Sequence, residues 1–569
     1  MTLMNTDDYG PGRILAILCL SIFCCGVISG AAAPLAEWDW LYLQTAADWA
    51  AGTAHPWVID HPPLYPMFLS LPFRFSPPIP ETARFFNAVP VLASAWLCYL
   101  TARTLSGRTA GLLASAMFLL NPVTIQGVRS MDSSDSSLLP MMFALLFYVL
   151  VYPFKTKGRR GYVLALFFAA AFWAKVTSTL GLAAGLFLYA LLFRKRAGSE
   201  FLRETLLGTA GGMFVFLLTW TAVALPLWGA GSWAMVLTTP FRYLLQGGAG
   251  GGHLPFLGLL LDLARAIFWF SPFLLYLCAV RLKDLYRLGA ASGAEHLAAF
   301  MCVFYFGGYL FAGGSNYGFP RYHAAISPFL HVFGGIALAG FMGGGLVWRR
   351  GLVLAAVLFT ALPALYVDPE LLINLRLKQL MFQGEYTAIL TQVLAPLLAY
   401  SLLPLAAAVF FTWRYRLEAG KAVMAAAAAA FFGTGAVLAA RQGLAPYSTA
   451  YQYGAAGKNE AVAFVLEKVS GGETVLATPE FDYDLRHSGV SVPGWQVWTS
   501  NTGIHDFVKG RRPEFIITGW TTQTSSQLEY LFRAPGMRRL LESDYALSVI
   551  GTYHVWERLN KSKEIKARA

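Results

Sequence analysis

Ionisable side chains are scarce in this sequence: Asp, Glu, Lys and Arg make up 13% of 569 residues, against 56% hydrophobic residues. A soluble core cannot hide so much apolar surface, which excludes an ordinary globular chain. Cysteine is scarce as well. All six (Cys19, Cys24, Cys25, Cys98, Cys278 and Cys302) fall inside apolar runs, so neither a disulfide framework nor zinc-type spacing is present. No glycine-rich phosphate loop, dinucleotide fingerprint or internal repeat occurs, and a soluble nucleotide site is not expected. The net charge of +12 is spread along the chain as short clusters between apolar runs. That pattern orients helices in a bilayer rather than gripping nucleic acid.

What the sequence does have is apolar stretches of about 20 residues, the length that crosses a hydrocarbon layer of about 30 Å. They predict an all-α polytopic membrane protein with thirteen spans near residues 14–33, 85–104, 109–126, 137–154, 161–178, 179–193, 206–228, 265–280, 295–313, 323–345, 351–366, 388–412 and 421–440. The first ends in GAAAP, which imitates a signal-peptidase site, but its apolar run is too long and its flank too acidic for a cleaved leader. Alternate connections carry the basic clusters: Arg103 and Arg108; Lys155, Lys157, Arg159 and Arg160; Arg194, Lys195 and Arg196; Arg281, Lys283 and Arg287; Arg349 and Arg350; Arg414, Arg416 and Lys421. The positive-inside rule makes that face cytoplasmic. An odd number of spans then puts the amino terminus inside and the carboxyl-terminal tail outside.

The chain therefore divides into a transmembrane part, residues 1–440, whose first outer loop is 34–84, and an extracytoplasmic part, residues 441–569. In the latter, NEAVAFVLEKV, GIHDFVKG and SSQLEYLFR read as helices, while ETVLATP, PEFIITG and YALSVIGTYHVWER read as strands. This alternation predicts a small α/β domain.

The scarce charges are concentrated in the outer loops. Residues 37–65, EWDWLYLQTAADWAAGTAHPWVIDHPPLY, set Glu37, Asp39, Asp48 and Asp60 among tryptophans and prolines. Carboxylates held at a lipid surface suit proton abstraction or cation binding, because idle charge is costly in low dielectric. Glu37 and Asp39 open a predicted helix and serve either as its caps or as a general base. Asp60 and His61 precede two prolines that are expected to stiffen the backbone into an extended form and hold both side chains in one orientation; the pair could bind a sugar or a divalent cation, or simply meet water. One Asp and one His are too few ligands to specify a metal.

In GVRSMDSSDSS, Arg129, Asp132 and Asp135 stand at the outer mouth of the third span, as a polar site or as the cap of the fourth. Lys175, in FWAKVTST, lies near the outer end of a span, where an ammonium needs water or an anion. Arg242, in TTPFRYLL, and Arg321 with Tyr322, in NYGFPRYHAAISPF, share that face. Converging arginines match phosphate geometry; single ones more often anchor a helix at the interface.

Taken in order, EWDWLYLQTA, DHPPLY, RSMDSSD, WAKVTS and PRYHAAISP resemble the type C (GT-C) polytopic glycosyltransferases, the group of protein O-mannosyltransferases and lipid A aminoarabinose transferases. The resemblance implies hexosyl or pentosyl transfer from a polyprenyl-phosphate donor to a hydroxyl of a lipid-linked or protein acceptor. It implies inversion at the anomeric carbon, no required metal or nucleotide, and a bacterial inner (cytoplasmic) membrane. By position, Asp39 or Glu37 would be the base, and Asp60, with His61 and Tyr65, would sit beside the sugar or a divalent cation. Asp132 or Asp135 would line the acceptor side near Arg129, and Lys175 and Arg321, with Arg242 and Tyr322, would hold the donor phosphate. Trp38 separates the two acids that the family commonly shows adjacent, and His61 replaces a familiar lysine. The WWDYG-type signature of oligosaccharyltransferases is absent. A transporter or lipid flippase is the alternative, but it would be expected to show internal symmetry and mid-membrane helix breaks.

Overall fold

In lipid, every backbone N–H and C=O must find its partner within the protein, so long apolar runs become helices. The computed structural model describes residues 10–31, 39–53, 63–129, 131, 137–193, 195, 198–228, 233–241, 263, 266, 269–288, 293–312, 321–342, 386–391, 428, 431–432, 435–436, 439, 457–469, 473–477, 481–492, 501–518, 535–551 and 553–559. The first part is helical: α1 (Gly10–Gly30), α2 (Asp39–Ala50), α3 (Leu64–Phe73), α4 (Pro80–Ser106), α5 (Arg108–Leu119), α6 (Pro122–Arg129), α7 (Leu138–Val151), α8 (Arg159–Ala174) and α9 (Val176–Leu192). It continues with α10 (Ser199–Trp228), α11 (Trp233–Thr238), α12 (Pro272–Leu288), α13 (Gly293–Ala312), α14 (Arg321–Ala324), α15 (Ser327–Met342) and α16 (Tyr386–Ile389). Among the described residues, Pro80–Ser106 and Ser199–Pro226 are each long and apolar enough to cross a membrane unaided. The expected span at 351–366 lies outside the described residues, as do most of 388–412 and 421–440.

Two spans differ from expectation, each for a local reason. The run 109–126 is broken at Leu120 and Asn121, where Asn121 Oδ1 accepts the Val123 N–H at 2.9 Å and Pro122 starts α6 without needing a donor. The boundary expected at 178–179 lies instead at Lys175, which is extended with φ −164° and ψ 115°. The Thr179 hydroxyl reaches the carbonyls of Ala171 at 2.9 Å and Lys175 at 2.7 Å, supplying a donor where the ladder is interrupted.

Small residues let the helices approach one another closely. A Cβ on Gly208 of α10 would lie 2.7 Å from the Gly161 carbonyl oxygen of α8, and one on Gly212 would lie 2.7 Å from that of Ala165. Gly335 of α15 meets the Ala114 backbone of α5 in the same way, at 2.6 Å. At 27 residues, α4 is about 40 Å long and so carries Arg84 near one end of the array and Arg103 near the other. The Arg103 end is basic but not unpaired. Arg160 meets Glu204 at 3.5 Å, Glu204 also accepts the Gly158 N–H, and Arg281 Nε donates to Glu295 at 3.0 Å.

The carboxyl-terminal part comprises α17 (Lys458–Lys468), β1 (Val475–Ala477), α18 (Asp482–His487), α19 (Asn501–Arg511), β2 (Phe515–Thr518), α20 (Pro535–Asp544), β3 (Tyr545–Ile550) and β4 (Tyr553–Arg558). The strand order is β1-β2-β4-β3, with β1 and β2 parallel and the other pairs antiparallel. Alternation along the strands separates two cores. Val475, Phe515, Ile517, Tyr553 and Val555 pack on α17 and α18; Leu476, Ile516 and Tyr545 pack on α19 and α20. Neither α18 nor α20 is expected from periodicity, and SSQLEYLFR lies outside the described residues. This unit touches the helical array where α18 meets α2.

The α8–α10 contact is directly testable. Gly208→Val is expected to lower stability by about 1–3 kcal/mol through overpacking, seen as a lower thermal midpoint in detergent. Gly510→Ala, at a helical position with open space, should leave the midpoint unchanged or raise it, by at most about 1 kcal/mol of added stability. Equal midpoints for both variants would contradict the close approach.

Candidate active site

α2 starts at Asp39, whose side chain is 2% exposed. Its Oδ1 accepts the Met131 N–H at 2.8 Å, across to the connection between α6 and α7. That oxygen ties the start of α2 to chain 92 residues away, beyond what a local cap would do. Glu37, Asp60 and His61 lie outside the described residues, as do Asp132, Asp135 and Arg242.

The extended presentation expected at Asp60 and His61 falls outside the described residues; just after the two prolines, Leu64 opens a helix. Pro63 precedes α3 with φ −89° and ψ 12°, and a proline, lacking an N–H, suits helix entry. At ten residues, α3 is too short to cross a bilayer. It delivers the Tyr65 ring edge-on to Tyr42, 5.5 Å between centroids, and the Tyr65 hydroxyl donates to Asn87 Oδ1 at 2.9 Å. The Ser137 hydroxyl donates to the same oxygen at 3.4 Å. Burial pushes the Tyr65 phenol above its ordinary pKa, opposed by the Asn87 hydrogen bond.

Sequence reasoning missed Arg84 and Asn87, which stand three apart on one face of α4 and are 2% and 0% exposed. The Arg84 guanidinium donates to the Ala31 carbonyl at 2.8 Å, and Asp39 and Glu81 lie near enough to act on its charge. A signal was available. Two strongly polar residues at i and i+3 at the head of an apolar helix face protein, not lipid.

The second group of polar contacts forms around Lys175, at the α8–α9 break. Its ammonium lies 4.3 Å from the ring centroid of Tyr322, a cation–π contact between two residues singled out from sequence. Tyr322 stacks on Tyr309 at 5.5 Å and 15°, and Tyr305 donates to the Tyr322 carbonyl at 2.9 Å. The Tyr309 hydroxyl lies 3.1 Å from that of Ser178, one turn beyond Lys175. These contacts seat the lysine against the junction of α13 and α14.

One helix touches both groups. Ser137 leads into α7 and meets Asn87, and Phe143, about 9 Å further along, packs edge-on against Tyr305 at 5.5 Å. Arg129 ends α6, and α6 packs on α14, which Arg321 opens. The 3₁₀ turn Thr239–Phe241, just before Arg242, packs on α9. Among the described residues, Asn87 and Ser137 thus lie toward the Arg84 end of α4, away from Arg103 at its other end. Among the described residues, no three His, Cys, Asp or Glu side chains converge as a cation site requires.

Residues 60–223 match the family model described as dolichyl-phosphate-mannose-protein mannosyltransferase. No curated protein matches the chain. Its fold is similar to that of ArnT from Cupriavidus metallidurans bound to undecaprenyl phosphate, with a TM-score of 0.57 and 14% identity over 96% of this chain and 98% of that one. The apo state of the same enzyme gives 0.58, also at 14% identity, over 96% and 97%. The oligosaccharyltransferase of Archaeoglobus fulgidus, in its apo form, gives 0.50 at 10% identity, over 98% of this chain and 75% of that one.

Removing the Tyr65 hydroxyl, in Tyr65→Phe, is expected to cost about 0.5–1.5 kcal/mol of stability, the net worth of one hydrogen bond. Because the phenol ionises later in the folded than in the unfolded chain, its contribution is whole below about pH 10 and declines above it. Thermal unfolding across alkaline pH should show a shallower decline in Tyr65→Phe than in the wild type. Superimposable curves would place the hydroxyl in water instead.

Proposed function

We propose that this chain is an integral-membrane glycosyltransferase that moves a sugar from a polyprenyl-phosphate carrier to an acceptor hydroxyl on the outer face of the membrane, with inversion. The observation that carries the proposal is the buried Asp39 carboxylate bound to the Met131 N–H, in a fold similar over 96% of the chain to a protein bound to undecaprenyl phosphate. In this view thirteen spans make up residues 1–440, residues 441–569 form an extracytoplasmic domain, and the basic end of the array faces the cytoplasm.

The chemistry follows from what such a transfer needs. An acceptor hydroxyl is a poor nucleophile, and a carboxylate within hydrogen-bond reach accepts its proton as the C–O bond forms, contributing roughly 10²–10⁴-fold. Asp39 is assigned this role, with Glu37 the other candidate. The leaving lipid phosphate gains negative charge, and preorganised cations at the edge of low dielectric stabilise it strongly. Lys175 and Arg321 are assigned there, with Arg242 and Tyr322 beside them. The cation–π contact with the Tyr322 ring would hold the ammonium in place to meet a phosphate. Asp60, with His61, would face the sugar or a divalent cation, and Arg129, Asp132 and Asp135 the acceptor side.

Incubating the purified protein with a panel of polyprenyl-phosphate sugars and lipid or peptide acceptors, then identifying products by mass spectrometry, tests the reaction itself. A glycosylated acceptor is expected with one donor class. Asp39→Asn should reduce transfer at least a hundredfold with folding intact; near-normal turnover would move the base to Glu37. Lys175→Ala should weaken binding of the donor, and unchanged affinity would remove the lysine from the phosphate site.

A further inference from the structure

Tyr309 is the side chain that the proposed reaction leaves without a part, although it joins two pieces of the phosphate side. A lysine ammonium is a point charge on a flexible stem, so nothing in its own chemistry fixes where it stands. The extended backbone at Lys175 adds to that freedom, because the residue sits between α8 and α9 rather than inside either. Its ammonium nevertheless has a seat, 4.3 Å from the ring centroid of Tyr322.

That seat is itself held, and Tyr309 holds it in two ways. Its ring lies nearly parallel to that of Tyr322, 15° between planes and 5.5 Å between centroids, which restricts rotation of the Tyr322 ring. Its hydroxyl lies 3.1 Å from that of Ser178, in the first turn of α9 just after Lys175. The contacts therefore close on themselves: Lys175 to Tyr322, Tyr322 to Tyr309, Tyr309 to Ser178, and Ser178 back to Lys175 along α9. Tyr305, one turn earlier on α13, braces the arrangement: it packs against Tyr309 at 4.8 Å and donates to the Tyr322 carbonyl at 2.9 Å. Ser178 and Tyr305 are buried, whereas Lys175, Tyr309 and Tyr322 are half-buried. The supports are sealed within the protein while the cation stays accessible to a ligand.

Resting on the glycosyltransferase reading above, we infer that Tyr309 is a positioning residue for Lys175: it locks the Tyr322 ring to α9, so that the ammonium is held ready for the lipid phosphate without Tyr309 itself touching it. An ammonium already ordered loses less freedom when the phosphate arrives. Loss of Tyr309 should then be felt as weaker phosphate binding, and only while Lys175 is present.

The test measures equilibrium binding of undecaprenyl phosphate, a sugar-free probe, to the purified full-length chain in nanodiscs, alongside sugar transfer. Tyr309→Leu removes both contacts and should weaken binding about tenfold, the scale of one cation–π or aromatic contact. Tyr309→Phe keeps the ring but loses the hydroxyl, and should weaken binding about threefold. Ser178→Ala should match it, with the double variant Tyr309→Phe/Ser178→Ala no worse than either alone. In a Lys175→Ala background each of these changes should cost less than about twofold, because residues that act together are not additive. In transfer, KM for the donor should rise while KM for the acceptor stays within about twofold. Thermal midpoints identify the variants that fold; if Tyr309→Leu does not, the cycle of Tyr309→Phe and Ser178→Ala decides. Equal losses with and without Lys175, or equal rises in both KM values, would overturn the positioning role and leave Tyr309 a packing residue. A wild type that binds undecaprenyl phosphate with this coupling yet transfers no sugar would sink the glycosyltransferase reading and leave the positioning of Lys175 standing. A wild type that does not bind undecaprenyl phosphate would overturn both.

Discussion

The buried carboxylate of Asp39 is the constraint around which this end of the protein is built. An ion removed from water must be met by donors and opposite charge, or its burial costs several kcal/mol. Here one partner comes from distant sequence, the Met131 N–H 92 residues away, and the Arg84 charge on α4 acts on the acid from nearby. Satisfying one acid therefore brings together α2, the head of α4 and the connection leading to α7. Asn87 repeats the pattern one turn on, accepting from Tyr65 and Ser137. Polar contacts between segments far apart in sequence fix their relative positions, which apolar helix packing alone would leave free to slide.

Lys175 is governed by a different balance. A helix break near the membrane exposes backbone groups that lipid cannot satisfy. The break survives because Thr179 reaches back to two carbonyls and Lys175 leans on an aromatic face, where a partly exposed cation gains roughly 0.5–2 kcal/mol. Extended backbone at one residue lets the lysine project from between two helices instead of lying along one. A lysine in the middle of a continuous helix would have faced a neighbouring helix or lipid.

The sheet unit obeys simpler rules. Its strands alternate between two apolar faces, each covered by two helices, and the buried Lys458 ammonium pairs with Asp484 at 2.8 Å to hold α17 to α18. Since α18 also meets α2, the unit adjoins the helix that begins with Asp39. Movement of one would be felt by the other.

Apolar run length and charge alternation were enough to find α1, α4, α7, α10 and α13, because a lipid-facing helix is specified by composition along a single segment. Strand alternation likewise identified β1 to β4, and the rarity of charge singled out Asp39, Lys175 and Tyr322 before any coordinates. What no single segment contains is which residues meet. Asn121 breaking a span, Lys175 forming a joint, Leu64 and Tyr65 entering a helix straight after two prolines, and Arg84 turning inward all depend on partners up to 149 residues away. Local sequence determines whether a segment prefers lipid and helix; only tertiary packing decides where a buried charge finds its counter-charge, because that partner is supplied by another helix.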